Sequence, residues 1–173
     1  RAVAAAGGDA EVFRWTRPAA ELAAFDGFLV PGGFSYQDRV RAGAVAAQDP
    51  LLETLRAAAA AGKPILGICN GCQVLVEAGL VPGRGSVDLA LARNRMSERS
   101  GYYARWVYVR VEASECLFTR GLEPGTVLPM PVAHAEGRFT SADPERIARL
   151  LGRGQVPFRY ARVDGSPAVG FPD

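Results

Sequence analysis

The chain has 173 residues, 49% of them apolar, so it can form a single hydrophobic core that buries about 70% of its unfolded surface. Its net charge of +2 is spread without a dense basic run, which argues against nucleic acid and against a polybasic membrane contact. No stretch reaches the ~20 apolar residues of a bilayer crossing, no charged-then-apolar leader pattern is read, and Cys69, Cys72 and Cys116 are too sparse for a disulfide framework, so a cytoplasmic, reducing setting is expected.

The chain opens at Arg1, and residues 2–6, rich in Ala, read as the tail of a helix; the last six residues are loop-like. One domain, 1–173, is expected, incomplete at both ends. Residues 10–15 (A-E-V-F-R-W) alternate like a strand, 18–25 carry Pro at a plausible helix start, and 27–30 (G-F-L-V) form a short apolar strand. In 50–60, Leu51, Leu52 and Leu55 share one helical face and Gly62 supplies a stop. An apolar strand over 65–68 and a helix over 71–78, with Val74, Leu75 and Ala78 at helical spacing, follow. Helix, buried strand and helix in succession predict a parallel α/β sheet. Strands are then predicted over 87–91, 104–112, 132–139 and 156–163, with a helix over 144–151 that Asp143 caps. No repeat, linker or low-complexity segment is read.

The chemistry centres on Gly67-Ile68-Cys69-Asn70-Gly71. A nucleophile between a buried strand and a helix, with Gly two before and two after, fits a nucleophile elbow, where the turn is too tight for neighbouring side chains. The free N–H groups and dipole of the helix N-terminus favour the thiolate of Cys69. The Asn70 N–H, one residue on, is suited to bind an oxyanion, and a second donor is expected from the loop Val30-Pro31-Gly32-Gly33-Phe34 at the ligand side of the sheet. Such a site suits acyl transfer from an amide through a thioester.

Other readings attach to the same residues. Cys69 can be an inert core thiol, and Pro-Gly-Gly a plain turn. Cys69 and Cys72 form a Cys-x-x-Cys that a redox protein would use, although Cys72 reads better as a small buried residue of the helix. Metal binding is disfavoured, since neither a second Cys pair nor a His cluster completes four ligands. His134 and Glu136, two apart on one predicted strand, would share a face and form a hydrogen-bonded surface pair.

The segments 67–73 (G-I-C-N-G-C-Q) and 31–41 (P-G-G-F-S-Y-Q-D-R-V-R), with Arg41-Ala42-Gly43, Arg105-Trp106-Val107 and Ala133-His134-Ala135-Glu136-Gly137-Arg138, resemble class I glutamine amidotransferases. Among these they look like the glutaminase subunits of phosphoribosylformylglycinamidine (FGAM) synthases, from about Ala10 to the end. The resemblance implies a flavodoxin-like three-layer α/β fold with a mostly parallel sheet, lacking the family's first strand and its C-terminal segment. It implies that Cys69 attacks the glutamine side-chain amide, that Gly33 and Asn70 form the oxyanion hole, and that Gln73 and Phe34 bind substrate. Ammonia would pass to a synthetase subunit in purine biosynthesis, a small bridging subunit joining the complex; ATP and Mg would sit on the synthetase, with no cofactor on this chain.

The family's catalytic His-Pro-Glu is expected beyond Asp173, and the stretch at His134 corresponds to a separate His-Gly-Glu-Gly, with Ala135 replacing the first Gly. Asp38, Arg39 and Arg41, and a stripe of Arg105, Trp106, Tyr108 and Arg110, are candidate partner contacts. The resemblance leaves two alternatives to the glutaminase: a catalytically incomplete scaffold subunit of the same complex, and a Cys-elbow hydrolase of the DJ-1/PfpI group.

Overall fold

The computed structural model describes residues 1–83, 85–95 and 100–169. A four-residue helix α1 (Ala2–Ala5) is followed by an extended segment in which only Phe13 packs inward, edge-on to Phe25 with ring centroids 6.2 Å apart and under the Arg17 guanidinium. The strand predicted over 10–15 is thus not formed: Val12 and Trp15 face solvent, and no described strand pairs with the segment. A 3₁₀ turn (Ala19–Ala24) behind Pro18 leads to β1 (Phe28–Val30). Lys63 Nζ donates to the carbonyls of Ala23 and Phe25, closing the end of that turn.

Helix α2 (Leu51–Ala60) buries Leu52 and Leu55, each worth about 1.5–3 kcal/mol in water-excluded surface, and stops before Gly62 at φ +84°. It feeds β2 (Ile65–Gly67), which pairs parallel with β1 in the register Phe28↔Ile65 to Val30↔Gly67, and α3 (Asn70–Glu77) follows at once. This unit is the predicted parallel α/β element, its helix, strand and helix within a residue or two of their expected bounds.

The rest is antiparallel. Strand β3 (Ala90–Arg93), which starts three residues and ends two residues later than predicted, pairs with β6 (Glu136–Thr140). β4 (Tyr103–Val111) is flanked by β5 (Val127–His134) and β7 (Phe158–Ala161) in the order β5-β4-β7. The expectation of a mostly parallel sheet therefore holds only for the β1–β2 pair among the described strands. The single strand predicted over 132–139 is two strands, because the chain turns at Ala135 and β5 and β6 enter different sheets. Helix α4 (Arg146–Gly152) begins two residues late; Asp143 serves the entering turn, its carboxylate accepting from the Glu145 N–H at 3.0 Å.

Two apolar clusters meet at α3. Val74 and Ala78 join Leu22, Leu52 and Leu55 under β1 and β2; Val76, fully buried, joins Leu89, Leu91 and Leu150, with Cys72 alongside. Among the described residues no helix is long and apolar enough to cross a membrane.

Candidate active site

The site begins where β2 ends. Ile68 N–H still bonds the Val30 carbonyl at 3.0 Å, and the next residue, Cys69, turns the chain into α3 with φ +55° and ψ −117°. That conformation costs an L-residue on the order of 1–3 kcal/mol and survives only where neighbours impose it. The glycines impose it. A Cβ on Gly71 would overlap the Val30 carbonyl, and one on Gly67 would lie 2.7 Å from Leu75 Cδ1 and 2.8 Å from Cys72 N, so α3 can start this close to β1 and β2 only with Gly at both positions. The thiol of Cys69 is exposed at the C-terminal end of the parallel pair.

Against it lies the loop after β1. An added Cβ on Gly32 would be 3.1 Å from Cys69 Cβ and 3.6 Å from its Sγ, which makes Gly32, ahead of Gly33, the residue backing the thiol. Gly33 is open, Phe34 stands 77% exposed beside it, and the Gly33 and Asn70 N–H groups donate to no other group among the described residues. Both N–H groups are therefore available as donors close in sequence to Cys69 and Gly32.

The loop then takes an unusual path: Tyr36, Gln37, Asp38 and Val40 all have φ between +52° and +72°. Side chains from elsewhere hold it. Asn70, only 4% exposed, accepts the Ser35 N–H on Oδ1 at 3.1 Å and donates from Nδ2 to Asp38 Oδ1 at 3.3 Å and Gln73 Oε1 at 3.0 Å. Arg41 forms a two-pronged pair with the buried Glu77, both bonds 2.5 Å. Gly43, at φ +80°, lies on the first turn of α3, where a Cβ would come within 2.6 Å of Gln73 C. Gln73 Nε2 donates to the Glu136 carbonyl at 2.8 Å, and Glu136 Oε2 accepts the Ala42 N–H at 3.1 Å. Burial and the Glu136 carboxylate push the Asp38 carboxyl above its ordinary value.

Of the candidates read from the sequence, Cys69, Asn70, Gln73 and the Gly32-Gly33-Phe34 loop come together. Cys72 does not join the surface: it packs with the second cluster, and burial, with the nearby Cys69, pushes its thiol up. All three cysteines are free. His134 and Glu136 are not a hydrogen-bonded pair, because the turn at Ala135 separates them. His134 Nδ1 lies 3.0 Å from Asn94 Nδ2, its ring covers Gly137 so closely that any Cβ there would overlap it, and burial lowers its pKa.

The proposed partner contacts also divide. Asp38 is bound to Asn70 and Arg41 to Glu77, while Arg39 is exposed and its side chain bonds, among the described residues, only Gln37, at 3.2 Å. By strand alternation Trp106, Tyr108 and Arg110 share a face with Pro131 and Pro129, whereas Arg105 falls on the other with Val107. Sequence reasoning missed Glu77 and Asn94 as parts of the scaffold, and paired Glu136 with His134 where the structure pairs it with Ala42 and Gln73. A charged residue among Val74, Leu75 and Ala78 was a usable signal for Glu77, since a Glu on an apolar helix face needs a partner; nothing local marks Asn94.

The whole chain, residues 1–173, matches the CobB/CobQ-like glutamine amidotransferase domain. Phosphoribosylformylglycinamidine synthase subunit PurQ of Methanothrix thermoacetophila is 48% identical over 178 residues, covering 99% of this chain and 68% of that protein. The same subunit of Thermomicrobium roseum is 46% identical over 86% of this chain and 59% of the relative. The solved structure of PurLQS from Thermotoga maritima contains a chain that matches with a TM-score of 0.63 and 36% identity, covering 82% of this chain and 59% of its own. The sequence thus spans between 59% and 68% of the length of these relatives.

Proposed function

The chain belongs to the CobB/CobQ-like glutamine amidotransferase domain family, and from that premise we propose that it is a glutaminase subunit, using Cys69 to release ammonia from glutamine for an FGAM synthase of purine biosynthesis. The observation that carries the reading is the exposed Cys69 at φ +55°, ψ −117° on the strand-to-helix turn, with the Gly32-Gly33 loop against it.

The geometry supports the following chemistry. The Cys69 thiolate adds to the side-chain amide carbon of glutamine, and the carbonyl oxygen, now an oxyanion, accepts hydrogen bonds from the N–H groups of Asn70 and the Gly33 loop. The intermediate collapses to a thioester as the nitrogen leaves with an added proton as ammonia; water then cleaves the thioester to glutamate and regenerates the thiol. Gln73 and Phe34 border the space the substrate would fill. His134 is engaged with Asn94 and bonds nothing at Cys69 among the described residues, so the reading assigns it no proton transfer. The three-layer flavodoxin-like arrangement, a synthetase partner that holds ATP and Mg, and a small bridging subunit complete the reading; the likeness to a chain of PurLQS supports an assembly of several subunits.

The test is labelling of the full-length protein, in complex with its synthetase, by the glutamine-like electrophile 6-diazo-5-oxonorleucine. Wild type and Cys72→Ala should be labelled at Cys69 and hydrolyse glutamine; Cys69→Ala should do neither. Equal loss in Cys72→Ala would favour the Cys-x-x-Cys redox reading, and a wild-type complex inert to both reagents would favour the scaffold.

A further inference from the structure

Glu136 opens β6 just past the turn at Ala135, and the chemistry proposed for Cys69 gives it no role. It nevertheless reaches the site twice, through its carbonyl to Gln73 and through its carboxylate to the Ala42 N–H. The second bond matters because of the loop it ends. Residues 31–43 carry Gly33 and Phe34 to Cys69 and hold four non-glycine residues in left-handed conformations, which a free loop would leave.

The loop's anchors are of two kinds. Ser35 and Asp38 bond Asn70, and Arg41 bonds Glu77, all on α3. Among the described residues Ala42 alone is tied to another sheet, and there Ala42-Gly43 is trapped between the first turn of α3 and the Glu136 carboxylate. Glu136 is itself fixed: Asn94 donates its N–H to the Ala135 carbonyl at 2.8 Å and accepts the Gly137 N–H on Oδ1 at 3.1 Å, gripping the chain on both sides of Glu136.

We infer that Glu136 is a positioning residue for the amide hydrolysis: its carboxylate pins Ala42, so that the loop bearing Gly33 and Phe34 stays against Cys69, and its carbonyl fixes Gln73. The inference rests on the glutaminase reading above. The carboxylate acts as a hydrogen-bond acceptor here, so its charge is dispensable while its oxygen is not.

Glu136→Gln keeps an acceptor for Ala42 and Glu136→Ala removes it. In the full-length complex, Glu136→Ala should lose about tenfold in kcat/KM for glutamine, most of it in kcat, because an oxyanion donor acts in the transition state. Hydrogen exchange at the Ala42 amide, measured without glutamine, should quicken by a similar factor of about ten as that bond is lost. Glu136→Gln should stay within about threefold of wild type in both readouts, a ratio well inside the tenfold that separates a lost hydrogen bond. Equal losses in the two variants, lost activity with unchanged exchange at Ala42, or wild-type behaviour of Glu136→Ala would each overturn the proposal. Should the wild-type complex show no Cys69-dependent hydrolysis, the parent reading is the one that fails, and exchange at Ala42 still decides whether Glu136 anchors the loop.

Discussion

His134 is the single histidine of the sequence, and its surroundings make it a one-signal probe of the turn that carries Glu136. The ring Nδ1 lies 3.0 Å from the Asn94 amide nitrogen, whose two hydrogens serve the His134 carbonyl at 2.7 Å and the Gly101 carbonyl at 3.1 Å, so a protonated Nδ1 would set its N–H against that NH₂ group. Burial acts in the same direction and holds the pKa below the ordinary 6.5. A depressed folded-state pKa means that the unfolded chain binds the proton first as pH falls. The stability contributed by neutral His134 is therefore complete above pH of about 6.5 and is lost as pH drops through the folded value. NMR titration of its one imidazole Cε1–H resonance should give a midpoint below that of a free histidine, and the unfolding midpoint should fall over the same acid range. A midpoint at or above about 6.5 would mean the ring is solvated and the grip of Asn94 on this turn is not as described.

At the scale of elements, the unit β1, α2, β2 and α3 was legible because its signals are local: three leucines on one helical face, an apolar strand, and glycines two residues either side of Cys69. Those same glycines give a graded test. Gly71→Ala sets a methyl group into the Val30 carbonyl, a backbone atom that cannot yield without parting β1 from β2, and should cost about 4 kcal/mol or more. Gly62→Ala meets nothing within 4 Å and bears only its φ of +84°, so about 1–2 kcal/mol is expected. Urea unfolding of the two variants measures the difference, and comparable losses would remove the close approach as the reason for Gly71. What was not legible depends on partners distant in sequence. Residues 10–15 alternate as a strand does but find no ladder, and 132–139 read as one strand because nothing local marks the turn at Ala135, where β5 and β6 part into different sheets. The loop was recognised by Gly32-Gly33, yet the left-handed conformations of Tyr36, Gln37, Asp38 and Val40 are held by Asn70, Glu77 and Glu136, and only the tertiary structure brings these to it.

Across the molecule, α3 is the element both apolar clusters share, and the turn at Cys69 leads directly into it. Val74 and Ala78 look toward the parallel pair, and Val76 and Cys72 toward β3 and α4, so neither cluster can open without exposing one side of the helix that Cys69 starts. This arrangement favours one cooperative unit over two separately melting halves. Val76 is the sharpest probe, being fully buried with its side chain wholly in the second cluster. Val76→Ala should cost about 2 kcal/mol from lost burial and the cavity left behind. If the coupling through α3 is real, the slowest amides of β1 and β2, in the other cluster, should lose as much protection against hydrogen exchange as those of β3. Lost protection confined to β3 and α4 would show that the halves unfold independently. Cys69 would then be held by the parallel pair alone, and its strained conformation would not depend on the antiparallel part of the chain.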